Sequence, residues 1–231
     1  MKNLIFMAFV LMTLAYACDN KPKNPIAVKQ EKLDNTVTEY QMDTIRKVKQ
    51  GYYKVTINGK LVTEKEFRND SLVGVEKHYH DNGKLKAEIL VDKGKFNGPF
   101  KYFHDNGKLY QEGKHVDEYI EGDLKTYYPN GQLKEQVFML KSEMNGPFVE
   151  YFDNGKLKAK GSYDKNKEHC LLEMYKEDAS GELEFKKICR TGVCCTFWSL
   201  AKGDVKPSSE ICSEVLKDMK QKCATTAEEK K

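Results

Sequence analysis

Six cysteines, Cys170, Cys189, Cys194, Cys195, Cys212 and Cys223, crowd into the last third of this chain and carry most of the chemistry its residue types could do. Thiols so placed can oxidise to disulfides or hold a metal ion. An even number in a short segment reads as a disulfide framework, with connectivity left open by the many pairings six cysteines allow. A tetrahedral metal site needs Cys-x-x-Cys-like spacings, which Cys189, Cys194 and Cys195 do not provide, so no metal and no cofactor is expected. Two of the five histidines, His80 and His104, are 24 residues apart and occupy the same place in successive copies of a repeat. Equivalent positions one hairpin apart stand about 10 Å from each other, an awkward distance for shared metal ligation. The next equivalents are Tyr128 and Phe152, so the position reads as an aromatic site of a sheet. Asp81, Asp105 and Asp153 keep the same register, each one residue before an asparagine, where turn chemistry accounts for them. No Ser-His-Asp order, phosphate loop or zinc-protease pattern is found, and no catalytic residue is expected.

The elements behind these residues follow from a period. Gly83, Gly107, Gly131 and Gly155 are spaced by 24 residues, each followed by Lys or Gln and then Leu, and a second glycine precedes each by nine: Gly74, Gly98, Gly122 and Gly146. A fixed period of this length marks a repeat architecture. Each copy reads as a β-hairpin, six residues of strand character, a polar turn ending Asn-Gly, then a second strand, with the Asn-Gly pairs expected in type I′ turns. The fifth residue after the leading glycine is always aromatic (Tyr79, Phe103, Tyr127, Tyr151) and the eleventh always leucine (Leu85, Leu109, Leu133, Leu157). A degenerate copy with Asn58-Gly59 begins near Gln50. Another follows Cys170, which replaces the leading glycine, with Tyr175, Ser180-Gly181 and Leu183. This makes six copies over residues 50–185, atypical at both ends as caps must be.

The core Tyr-(Tyr/Phe)-x-x-Asn-Gly-(Lys/Gln)-Leu-Lys, as in Tyr127-Tyr128-Pro129-Asn130-Gly131-Gln132-Leu133-Lys134, resembles the bacterial variant of the MORN repeat, the type found in YwqK-like proteins that are labelled antitoxins. The resemblance covers about residues 50–185. It implies interaction rather than a reaction, since such arrays serve as scaffolds, membrane-associated modules and accessory domains of enzymes.

Residues 1–17 are Met-Lys followed by an apolar run from Leu4 to Ala17 broken only by Thr13, and Cys18 comes next. One positive charge and a short apolar run read as a secretory signal peptide, too short to span a bilayer comfortably. Ala15-Tyr16-Ala17 fits an ordinary cleavage site, while Ala17-Cys18 is similar to the end of a bacterial lipobox and would make Cys18 the lipidated first residue of a lipoprotein. Residues 18–49 then read as a polar tether to about Gln30 and an N-terminal cap. The expected location is the cell envelope, membrane-anchored by lipid, with plain secretion as the alternative. The formal charge of +4, with 39 basic and 35 acidic residues interspersed, is that of a solvated surface, and no nucleic-acid partner is expected.

Residues 186–231 form a cysteine-rich cap with a helix over residues 208–223. Pro207 with Ser208 or Ser209 starts it, early glutamates and late lysines suit its dipole, and one face carries Ile211, Cys212, Val215, Leu216, Met219 and Cys223. Cys212 and Cys223 lie about 16 Å apart along such a helix, so each needs a different partner. The fold class is therefore mainly β: tandem 24-residue hairpins in one elongated, twisted antiparallel sheet, closed by a disulfide-linked helical cap that shields an edge strand. Apolar residues at the second (Phe100, Leu124, Phe148) and fifth places of the first strand fall on opposite faces, which calls for a bulge or for two partly apolar faces. The expected function is that of a protein-interaction scaffold for an envelope partner, with Tyr79, Phe103, Tyr127 and Tyr151 as the binding ladder. An antitoxin or immunity component, or an accessory part of an enzyme, is the alternative.

Overall fold

The computed structural model describes residues 25–206 and 209–228. The signal peptide, Cys18, most of the tether, Pro207 and Ser208 lie outside them. The strands are β1 (Ile26–Leu33), β2 (Thr36–Asp43), β3 (Val48–Ile57), β4 (Lys60–Arg68), β5 (Ser71–Tyr79), β6 (Leu85–Asp92), β7 (Lys95–Phe103), β8 (Leu109–Val116) and β9 (Tyr119–Ile120). They continue with β10 (Gly122–Tyr127), β11 (Leu133–Leu140), β12 (Glu143–Tyr151), β13 (Leu157–Asp164), β14 (Lys167–Tyr175), β15 (Leu183–Arg190), β16 (Val193–Ser199) and β17 (Gly203–Asp204), and end in helix α1 (Glu210–Glu228). The 17 strands of the described residues form one open antiparallel sheet in which successive strands pair, β9 with β10 excepted. β9 and β10 both pair with β8, so together they make one strand interrupted at Glu121. This is the expected elongated sheet of hairpins, and it is longer than expected: the segment read as a tether enters it at Ile26.

The turns differ from expectation. Asn82-Gly83 and its equivalents lie in five-residue connections, and only the glycine has positive φ, +81° at Gly83. The chain reverses through Gly83 N donating to His80 O at 2.8 Å, and Lys84 N donates to Asn82 Oδ1 at 3.0 Å. The asparagine is thus used for its side-chain acceptor in an Asx turn. Among the expected pairs, Asn58-Gly59 does have both φ values positive, 51° and 75°. The type I′ conformation otherwise recurs at the opposite strand ends, at Asn69-Asp70, Lys93-Gly94, Asp117-Glu118, Lys141-Ser142 and Lys165-Asn166. Left-handed non-glycine residues cost about 1–2 kcal/mol each. They persist here because the two-residue turn matches strand twist and each second residue is tied to the preceding hairpin, as in Glu118 N to Phe96 O at 3.0 Å and Ser142 N to Ile120 O at 3.0 Å.

Residues directly opposite one another share a face of the sheet. One face is packed: Glu76, Ile89, Phe100 and Gly113, then Leu124, Val137, Phe148 and Gly161, stand opposite one another across successive strands. Every fourth member of the row is a glycine, and each phenylalanine lies over the glycine of the next strand. A Cβ on Gly113 or Gly161 would come within 2.8 Å of Phe100 or 2.9 Å of Phe148. Phe100 is only 2 % exposed, so this face buries its own side chains without a second layer. The fifth-place aromatics are on the other face, so both faces are partly apolar. The bulge comes in the second strand of each hairpin, where Tyr102 faces Gln111 but Phe103 faces Leu109.

The helix begins two residues later than expected and runs to Glu228 rather than Cys223. Ser209 caps it, its Oγ accepting from Cys212 N at 3.2 Å. Val215, Leu216 and Met219 are buried against Ile188 of β15 and Cys195 of β16. Disulfides Cys170–Cys223 and Cys195–Cys212 pin α1 at two points, and Cys189–Cys194 joins directly opposed residues of β15 and β16. The helix packs against β14, β15 and β16, hence on the sheet face and not over the outermost strand β17. Cys170 keeps the backbone of the glycine it replaces, with φ of 60°.

Candidate interaction surface

The face opposite the packed one carries a row of charge that alternates strand by strand. Glu39, Lys54, Glu64, Lys77, Glu88, Lys101, Glu112 and Lys125 stand opposite one another across eight strands. Lys54 Nζ is 3.2 Å from Glu64 and Lys77 Nζ 3.8 Å from Glu88. Farther along, Lys160 and Lys186 flank Glu173 at 2.9 and 3.9 Å. Sequence reasoning took these charges as a dispersed solvated surface. The signal that would have found the row is the repeat period itself, Lys77-Lys101-Lys125 and Glu64-Glu88-Glu112.

Tyr79, Phe103, Tyr127 and Tyr151 flank this row as the last strand residues before the five-residue turns, each directly across from its leucine, Leu85, Leu109, Leu133 or Leu157. All eight are half-buried. Tyr79 donates its hydroxyl to Glu64, and Tyr127 donates to Glu112 Oε1 at 2.7 Å. Burial, then the neighbouring carboxylate, pushes the phenols of Tyr79 and Tyr127 up to about 12. They are neutral donors at physiological pH. The hydrogen bond from Tyr79 in turn holds Glu64 below the usual carboxylate range. Beyond the charged row the same face exposes Val75 and Phe138, and a groove of about 380 Å³ opens between Pro147, Val149, Lys160 and Leu171 beside Cys170.

The histidines are placed by the turns. His80 Nε2 bonds to Phe103 O at 2.9 Å and His104 Nε2 to Tyr127 O at 3.1 Å. A carbonyl can only accept, so each Nε2 carries a proton. Tyr128 OH donates to Tyr151 O at 2.9 Å, which makes one position, whether His or Tyr, a tie from each turn to the next repeat. Asn82, Asn106 and Asn130 reinforce it through Nδ2 to the carbonyls of Asp105, Pro129 and Asp153. On the packed face Thr63, His78 and Glu76 are linked in series at 3.2 and 2.8 Å. There Lys65 Nζ lies 2.9 Å from Glu76, and the Thr63 side chain is buried, so this set serves as a polar core.

A family profile described as the MORN repeat variant matches residues 72–93, 96–117, 120–141 and 144–165. Four tandem segments of the chain thus match the MORN repeat variant. Each matched MORN unit runs from the early part of one strand, through the five-residue turn, to the two-residue turn that closes its second strand. The outer two expected copies lie beyond the matched units, although β3–β4 and β14–β15 continue the same pairing. No curated protein matches the chain. Tandem MORN repeats point to a repeat-based interaction scaffold. The disulfides point to an oxidising, extracytoplasmic compartment, and among the described residues no helix is long and apolar enough to cross a membrane.

Proposed function

We propose that this protein is a non-enzymatic scaffold exported to a bacterial cell envelope, tethered there by lipid at Cys18, and that it binds a partner protein through the charged, aromatic-flanked face. The observation that carries the reading is the division of labour between faces: Phe100, Val137 and Phe148 are buried on one, while the Tyr79 to Tyr151 ladder stays half-accessible beside alternating charges on the other. Half-buried aromatics with a polar tip suit protein recognition, and alternating charge selects a partner's register. Three disulfides suit the compartment, and Cys18 behind an apolar leader suits the anchor.

The test is crosslinking in intact cells with identification of what is attached, done for the parent, Tyr151→Ala and Lys101→Glu. Loss of the attached protein with melting temperature preserved supports the reading. Unchanged recovery in both variants moves the partner elsewhere. Membrane partitioning that is equal for the parent and Cys18→Ser removes the lipid anchor.

A further inference from the structure

The sheet begins with β1. β1 pairs with β2 on one side, and among the described residues no strand pairs with its other side. Which backbone groups face outward follows from two observations. Leu33 stands opposite Thr36 across a two-residue turn, and Thr44 N donates to Pro25 O at 2.7 Å in the same register. Odd-numbered residues of β1 therefore bond to β2, and the N–H and C=O groups of Val28, Gln30 and Lys32 point to the open edge. Such an edge accepts another strand unless something discourages it. Lysines are the usual discouragement, and β1 has Lys29 and Lys32.

We propose that a second copy of this chain occupies this edge, β1 pairing antiparallel with β1 about a two-fold axis through Gln30. The outward parity admits only registers in which even-numbered residues meet even-numbered ones. With the axis at Gln30, Lys29 of each copy stands opposite Glu31 of the other, twice by symmetry, in the closer non-hydrogen-bonded pairs. Moving the axis one residue towards either end sets Lys29 against Lys29 or Glu31 against Glu31, which is repulsive. Lys32 then lies across from Val28 and Leu33 across from Ala27, covering two apolar side chains that are 55 % and 77 % exposed at Val28 and Leu33. Lys29, which repels a foreign strand, becomes for an identical one half of a matched pair. Glu31 Oε1 accepts from Tyr40 OH of β2 at 2.7 Å, which leaves Oε2 for Lys29 of the second copy. The pairing joins two arrays into one continuous sheet and leaves both charged faces uncovered.

Sedimentation equilibrium on the purified full chain in mild detergent tests it. The parent is expected to be a dimer, Glu31→Lys and Lys29→Glu each roughly tenfold weaker in association, and the double charge swap restored. Oxidation of a Gln30→Cys variant is expected to give a covalent dimer, since residues facing each other across the axis have Cα atoms about 5.5 Å apart, whereas Val28→Cys is expected not to link to itself. A monomeric parent, equal linking at positions 28 and 30, or a dimer indifferent to both charge reversals overturns the proposal. So does recovery of a strand from a different protein on this edge.

Discussion

A methyl group at Gly113 probes how a single-layer sheet buries its own core. The backbone of Gly113 is outside the left-handed region, so alanine is conformationally acceptable there. In open space it would stabilise by about 0.4–1 kcal/mol, by restricting the unfolded chain. The space is not open: the new Cβ would stand 2.8 Å from Phe100 Cζ, 3.0 Å from its Cε1 and 3.1 Å from Leu124 Cδ1. Phe100 has little room to yield, with the rings of His115 and Tyr102 at 4.6 and 5.5 Å. Overpacking of this kind costs about 1–3 kcal/mol, so Gly113→Ala is expected to destabilise despite its favourable effect on the unfolded state. In the Phe100→Leu background the clash with the ring is gone, only the Leu124 methyl at 3.1 Å must give way, and the same alanine is expected to cost much less or nothing. The four proteins of this cycle, compared by urea denaturation, should show a coupling of about 1–3 kcal/mol between the two positions. A Gly113→Ala protein as stable as its parent, or one equally destabilised in both backgrounds, refutes the glycine-under-phenylalanine account of the core.

His104→Tyr is expected to retain stability, because Tyr128 makes the equivalent turn-to-turn bond, whereas His104→Ala loses about 1 kcal/mol in the same denaturation assay. An ultraviolet absorbance titration should find phenols ionising near 12, with Tyr127→Phe removing one of them. Since the folded phenol is raised above its ordinary value of about 10, its contribution to stability is complete below that pH and is lost as pH rises towards 12. Reduction, or Cys223→Ser, is expected to raise amide exchange in α1 before the central strands, a bridge closing a loop of this size contributing about 2–4 kcal/mol.

The repeat, the hairpins and the sheet were legible because a 24-residue period repeats every local signal four or more times. What misled was turn chemistry. Asn-Gly is a strong type I′ signal in isolation, but here Asn82 is drawn into an Asx turn and a contact with the next repeat, while turns such as Lys141-Ser142 carry no sequence mark of their conformation. The aromatic positions were readable but their face was not. That depends on which strand takes the bulge, and only the pairing of Tyr127 with Leu133 beside Thr126 with Glu135 decides it. The helix ran past its expected end because Cys223, bonded to Cys170, lies within it and is not its last residue.

The ties between turns span one repeat and no more: position 80 reaches 103, 104 reaches 127, and 128 reaches 151. The units bearing His80, His104 and Tyr128 therefore each offer their successor a side-chain donor at one position and meet the same backbone acceptor there, as couplings do along a train, and Phe152 ends the series. Deleting the 24 residues 106–129 would bring His104 before the Tyr151 carbonyl that Tyr128 now holds, but would set Phe100 opposite Val137 in place of Gly113. Length in such a molecule can change by whole units where the ties between turns are concerned and by pairs of units where the phenylalanine–glycine contacts are to be kept, each unit adding two strands and about 10 Å to the reach of the surface.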